Sequence, residues 1–210
     1  MDYEITRRQI LESDEFVLSE FRKLQYLYGL KREIRFNETR TCTGMGESVA
    51  EHIYGMMVSA NYFLPLENID GTWDQAKIFK MITWHDIEEL EVGDMIGYLK
   101  TPERIAEETV AEKDAVAKAP SSMHHEMLTV LEEYAERCTP EARFVKAIDK
   151  MDSLLQMYTD RGKAVVTGMG STLQQHNDNK VPHMKDWPYL FRFKEIITAR
   201  MVDEGFLITA

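Results

Sequence analysis

The sequence predicts an all-α fold, and three observations carry that prediction. Apolar residues recur at steps of three and four along most of the chain, no stretch alternates strictly between apolar and polar, and helix-boundary residues flank the periodic segments. A chain of 210 residues can bury a sizeable core without disulfides or structural zinc. Residues 1–210 are read as a single-domain helical bundle.

Residues 14–29 carry Phe16, Val17, Phe21, Leu24 and Leu27/Tyr28 at helical spacing and stop at Gly29. Residues 30–46 read as irregular. Residues 47–64 repeat apolar positions at Val49, Ile53, Met56/Met57, Ala60 and Phe63/Leu64, and Pro65 is expected to end that helix. A third helix is expected from about Trp73 to Glu91, on Ile78, Phe79, Ile82 and Leu90. Thr101-Pro102 opens a charged, solvent-facing helix over 102–118, an N-cap followed by proline in the first turn. Residues 122–137 form another amphipathic helix. Residues 141–161 follow, with Phe144, Val145, Ile148, Leu154/Leu155 and Tyr158 on one face and Gly162 as the stop. The remainder reads as a weaker helical stretch from 163, a Gly/Asn/Pro-containing loop around 168–186, and a helix near 187–203.

Net charge is −11, from 25 Lys+Arg against 36 Asp+Glu, which argues against a nucleic-acid polymer on the surface. A small phosphate ester is not excluded, because a bound divalent cation can reverse the local field. No window approaches the ~20 uninterrupted apolar residues of a membrane span. The first residues lack the basic and apolar regions of a secretory signal. The two cysteines, Cys42 and Cys138, form no CxxC pair. A reducing cytoplasm is the expected compartment.

Four residues on three expected helices stand out as metal ligands. His85-Asp86 are neighbours that can reach one ion lying off their helix. Glu89 follows them by four and three positions, beside both, where it can orient or deprotonate a water without binding the ion. His52 borders the apolar stripe of its helix, three after Val49 and four before Met56. Asp149 sits four after Val145, again at the edge of a buried face. A mixed imidazole and carboxylate set suits Mn²⁺, Fe²⁺, Co²⁺, Ni²⁺ or Zn²⁺ in a non-structural role. Each residue alone has an ordinary reading, as a hydrogen-bonded core histidine or one charge of a solvated face. The order H…HD…D, one element per helix, points instead to a metal centre.

These residues also carry a family resemblance. Glu47-Ser-Val-Ala-Glu-His52, His85-Asp-Ile-Glu-Glu-Leu-Glu-Val-Gly-Asp94 and Phe144-Val-Lys-Ala-Ile-Asp-Lys-Met-Asp152 resemble the successive motifs of HD-domain metal-dependent phosphohydrolases. Within that superfamily they look most like the 5'-deoxynucleotidase branch, over about residues 16–160, with 163–210 as a C-terminal helical extension. The resemblance implies an HD-type bundle, His52, His85, Asp86 and Asp149 as ligands of a divalent transition metal, and Glu89 as the water-activating residue. It implies Asp94 as an active-site contact and an arginine for the substrate phosphate, Arg35 or its rival Arg40. The segment Arg40-Thr-Cys-Thr-Gly-Met-Gly46 departs from the branch, which carries an arginine–tryptophan pair there. The implied activity is release of phosphate from deoxyribonucleoside 5'-monophosphates, by a homodimer. The alternatives are a deoxynucleoside triphosphate triphosphohydrolase of the same fold and a non-catalytic nucleotide-binding protein. An HD phosphodiesterase is set aside because no second ligand shell is evident.

Other features read as structural. His124-His125 open a surface helix, His176 and His183 lie in a polar loop that can approach the pocket as a lid, and the 13 methionines mostly occupy core positions. Trp187-Pro-Tyr-Leu-Phe docks the last helix, and Gly168-Met-Gly170 lacks the preceding strand of a phosphate loop.

Overall fold

The computed structural model describes residues 3–35, 47–95, 100–158 and 160–209. Along them run α1 (Tyr3–Glu12), α2 (Asp14–Leu27), a 3₁₀ turn (Tyr28–Lys31), α3 (Val49–Glu67), α4 (Gln75–Trp84), α5 (Glu89–Val92), α6 (Pro102–Lys118), α7 (Ser121–Glu136), α8 (Pro140–Met157), α9 (Asp160–Gly168), α10 (Leu173–Met184) and α11 (Pro188–Asp203). Among the described residues the only β pairing is two isolated bridges, Ile34 with Ser48 and Thr172 with Ile208. The fold is all-α, as the periodicity predicts, and none of its described helices is long and apolar enough to cross a membrane.

Helix α8 is the axis of the bundle, packing against α3, α4, α7, α9, α10 and α11. Thr139 caps it by accepting from the Ala142 N–H, and Pro140 fills its first turn, where an N–H has no helical partner anyway. Phe144, Ala147, Ile148, Met151 and Leu154 are buried along its length, with Met56, Ile78, Met81 and Ile82 from α3 and α4. Each large apolar side chain taken fully from water stabilises by about 1.5–3 kcal/mol. A second cluster joins Leu27, Leu30, Val49, Ile87 and Val116 to Met127 and Leu131. Trp187 seats the start of α11, its ring edge-on to Trp73 at 5.3 Å and to Phe144 at 5.8 Å. The Glu67 carboxylate at the end of α3 accepts from the Tyr189 and Leu190 N–H groups, stabilising the N-terminus of α11.

The structure corrects several expected boundaries. α1 precedes the first helix the spacing predicts. The α2 stripe is not covered: Val17, Phe21 and Leu24 are exposed, and burial begins at Leu27. α3 runs through Pro65 to Glu67, because the carbonyl left without a donor, that of Asn61, belongs to an exposed residue open to water. The single helix expected over 73–91 is broken. After α4, Ile87 N–H donates to Trp84 O, Glu89 N–H to Asp86 O and Leu90 N–H to Ile87 O, a tightened i→i−3 path through the His85-Asp86 pair.

Gly162 does not end α8, which stops at Met157; it lies inside α9. A Cβ there would meet the Met157 carbonyl oxygen at 2.1 Å, so only glycine permits this close turn between α8 and α9. The expected loop over 168–186 contains α10. Thr172 and Gln175 form a reciprocal capping box, and buried Met184 and Lys180 anchor the helix to α8. Packing thereby overrides the weak helix propensity of its Asn and His residues.

Candidate metal centre

Each element aims one or two polar side chains at a common point. Ser48 opens α3 with a capping box, accepting from the Glu51 N–H while Glu51 accepts from the Ser48 N–H. Glu51 is thus spent on the cap, and His52, one residue on, turns fully inward. Its Nδ1 lies 2.6 Å from Asp152 Oδ2, across from α8. Gly55 makes that contact possible, since a Cβ there would stand 2.2 Å from Asp152 Oδ1. His85 Nδ1 donates to the Ile82 carbonyl at 3.0 Å. With both Nδ1 atoms engaged as donors, each Nε2 presents a lone pair.

Those lone pairs converge with carboxylates. His85 Nε2 is 3.1 Å from Asp86 Oδ2. His52 Nε2 is 3.7 Å from the same oxygen and 3.6 Å from Asp149 Oδ1. Both Nε2 atoms are buried without a hydrogen-bond partner. Four electron-rich atoms facing one another repel unless a positive charge sits between them. Ligands about 2.0–2.2 Å from one ion stand roughly 3–3.5 Å apart, close to these separations. The donor set therefore fits a divalent metal.

The local field agrees. Burial and Arg35 work to lower His52, yet Asp149, Asp152 and Asp86 raise it to about 9, so the site attracts a positive charge. Burial disfavours the charged form of Asp149, but Lys146 and Lys150 hold it well below the usual carboxylate range. Their ammonium groups stand 2.7 and 3.4 Å from its Oδ2. Asp86 is also lowered, against burial, by His85 and His52.

Beside the centre lies a cleft of about 470 Å³, lined in part by Asp86, Asp149, Glu89, Asp94 and Arg35. Glu89 eclipses Asp86 because the i→i−3 turn repeats every three residues. Its Oε2 is buried without a hydrogen-bond partner. Burial and then Asp86, Asp94 and Glu88 push its carboxyl well above the ordinary range. Arg104 of α6 ties down the end of α5, donating to the Val92 and Gly93 carbonyls at 2.7 and 2.6 Å, next to Asp94. Arg35 is buried and bonds Glu47 at 3.0 Å; Asp86 and Asp94 strengthen its charged form against burial. Arg40 lies outside the described residues, as does the departing segment 40–46.

Two sets of residues receive no role from the sequence reading. Asp152 closes the third motif without an assigned role there; three residues after Asp149, one turn along the same buried face, it orients His52. The C-terminal helices close the other side of the cleft with Val166, Met169, His176, Lys180, His183 and Met201. His176, Asn179, Lys180 and His183 are spaced as one helical face, a signal hidden when 168–186 is read as a loop. His124, in contrast, lies 2.8 Å by its Nε2 from the Ala119 carbonyl at the surface helix start, as expected.

Comparisons with known proteins bear on this arrangement. A family model described as HD domain matches residues 28–188. The protein 5'-deoxynucleotidase HDDC2 of Mus musculus is 30% identical over 112 residues, 52% of this chain and 54% of the relative. The protein of the same name from Dictyostelium discoideum is 33% identical over 119 residues, 53% of this chain and 62% of the relative. The chain spans about half the length of the first of these curated relatives. Among solved structures, a predicted metal-dependent phosphohydrolase from Magnetospirillum magnetotacticum MS-1 superposes with a TM-score of 0.74 at 21% identity, over 91% of this chain and 95% of that one. A conserved hypothetical protein from Pyrococcus furiosus gives 0.58 at 21% identity, over 84% and 98%. At these identities the structural likeness speaks for the fold.

Proposed function

Because the chain belongs to the HD domain family, we propose that it is a metal-dependent phosphohydrolase that removes phosphate from deoxyribonucleoside 5'-monophosphates. The observation that carries this reading is the convergence of His52 Nε2, His85 Nε2, Asp86 and Asp149 beside a cleft, with both imidazoles oriented through Nδ1. The relatives named as 5'-deoxynucleotidases support the substrate class.

In this reading those four residues hold a divalent transition metal, Co²⁺, Mn²⁺, Ni²⁺, Fe²⁺ or Zn²⁺. Such an ion supplies Lewis-acid polarisation of phosphoryl oxygens and makes water acidic enough to act as a nucleophile near neutral pH. Asp152 and the Ile82 carbonyl keep the two imidazoles in the tautomer that offers Nε2. Glu89, beside Asp86, holds the attacking water and takes its proton as general base. Asp94 lies against Glu89 and contacts the sugar side of the substrate. Arg35, kept charged beside Asp86 and Asp94, neutralises a phosphoryl oxygen where charge develops. Residues 1–210 act as one domain, placed in the cytoplasm. The exposed apolar face of Val17, Phe21 and Leu24 on α2 supports a homodimer.

One observation favours a second reading. α9–α11 form a wall of the cleft, extending it beyond the metal centre, as a longer triphosphate chain requires. Turnover with Co²⁺ or Mn²⁺ separates the two. Inorganic phosphate and nucleoside from deoxynucleoside monophosphates, faster than from ribonucleotides, support the first reading. Intact triphosphate from a deoxynucleoside triphosphate, with monophosphates inert, replaces it with the second.

A further inference from the structure

The cations lining the cleft are balanced unequally. Around Arg35 and Lys100 every cation touches a carboxylate: Glu47 for Arg35 at 3.0 Å, and Glu108 for Lys100 at 2.9 Å, with the neighbouring Arg104 bonded to both Glu108 and Glu107. On the side built by α7, α8 and α10, Lys146 and Lys150 share the single carboxylate of Asp149. Two more cations line that side, Arg137 and Lys180. Among the described residues neither has a carboxylate within 4.0 Å: the Arg137 guanidinium lies 5.9 Å from the Tyr134 ring centroid, and Lys180 bonds only neutral oxygens. A divalent ion at the centre would draw on the charge of Asp149 and leave the excess larger.

Lys180 is the more telling of the two. It is only 7% exposed, and its Nζ donates to the Lys150 carbonyl at 2.8 Å and the Ser153 hydroxyl at 2.5 Å. An ammonium has three N–H donors, so one remains for a ligand in the cleft. Burying an ammonium without a counter-charge is strongly unfavourable. Neighbouring groups register the same uncompensated field. Burial, with Lys150 and Arg35, outweighs the more distant Asp149 and Asp152 and brings Lys180 down to about 7, and burial, Lys180 and Lys194 bring His176 down to about 3. Burial, Lys146, Lys150 and Arg137 bring His183 down to about 4.

We propose that Lys180 and Arg137 form a phosphate-binding subsite on the C-terminal side of the cleft, in addition to the Arg35 contact. Its ligand is a phosphate dianion, the ester of the substrate or the inorganic phosphate product. The inference rests on the phosphomonoester reading for its substrate, but phosphate binding itself does not depend on turnover. The test is calorimetric titration of the metal-loaded protein with inorganic phosphate, alongside KM for a deoxynucleoside monophosphate. Lys180→Met and Arg137→Asn should each weaken inorganic phosphate by about 10–100-fold, the scale of a lost charged hydrogen bond. Lys180→Arg should recover most of the loss. A parallel rise in KM assigns the subsite to the substrate ester, and an unchanged KM assigns it to the product. Phosphate affinity unchanged in both variants overturns the proposal, as does a loss seen only when Arg35 is replaced. Should Lys180→Met fail to fold, Arg137→Asn decides alone. Arg137 is exposed at φ 52°, and asparagine tolerates that left-handed backbone. Wild-type phosphate binding lost on these substitutions, in a protein that turns over no monophosphate, would keep the subsite and remove the 5'-deoxynucleotidase reading.

Discussion

The two sides of the cleft bury polar groups by opposite rules. Around α3, the 85–89 turn and α8, each histidine is held by one nitrogen, to a carboxylate or a backbone carbonyl, and offers the other to a shared point. Acids outnumber bases there, and the point attracts a cation. Across α8 and α10–α11, buried Lys180 and Lys194 rest on neutral oxygens, the Lys150 carbonyl, the Ser153 hydroxyl and the Asn177 amide. His176 pairs with the Thr198 hydroxyl. That side is short of negative charge. A phosphate ester against a metal satisfies both at once, and neither half explains the cleft by itself.

The sharpest way to break the contrast is to empty the cation side. Asp149→Ala removes an oxygen contributed by a different helix from the other three candidates. Metal content by elemental analysis and activity should both fall to background, with the fold retained by circular dichroism. A variant that keeps its metal places Asp149 outside the ligand set.

Glu89→Gln should separate chemistry from metal binding. The amide keeps the shape and one acceptor, so metal content should stay at the wild-type level. Single-turnover rates should drop by about 10²–10⁴-fold. Wild-type turnover would make Glu89 structural, and loss of metal would place it among the ligands.

Gly55→Ala probes the support behind His52. The added methyl meets Asp152 Oδ1 at 2.2 Å, so the carboxylate must move and the imidazole loses its anchor. Metal affinity should weaken about 10–100-fold, the scale for lost ligand support. Unchanged affinity in a metal-competition titration means Asp152 does not orient the ring.

The smallest effect belongs to the anion side. Burial, with Lys180 and Lys194, lowers His176 from 6.5 to about 3. Between those values the unfolded chain holds more protons than the folded one, so stability falls as pH drops from about 6.5 toward 3. His176→Gln should flatten that acid loss by at most one proton, about 1.4 kcal/mol per pH unit. Urea unfolding of both proteins between pH 4 and 7 measures it, and parallel slopes would refute the assignment.

Much of the fold is legible because burial leaves its period in the sequence. Val49, Met56, Ala60 and Phe63 mark the inner face of α3, and Phe144, Ile148 and Met151 that of α8, so all-α architecture and inward-facing His52 and Asp149 follow from spacing alone. The caps at Thr101-Pro102 and Thr139-Pro140 are local chemistry and are read directly. Glu89 beside Asp86 is also a matter of spacing, although the turn that aligns them is tighter than a helix.

What spacing cannot carry is anything whose cause lies far along the chain. Nothing local to Gly55 announces the carboxylate that arrives 97 positions later in Asp152. Gly162 looks like a stop until the Met157 carbonyl is brought against it. Residues 173–184 are poor helix formers, and only packing on α8 makes them a helix whose face reaches the cleft. Residues a turn or two apart are enough to spell out the helical architecture and to turn each candidate ligand inward. The orientation of the imidazoles and the cations without a carboxylate opposite them arise only on folding, because both depend on which distant groups share one buried volume.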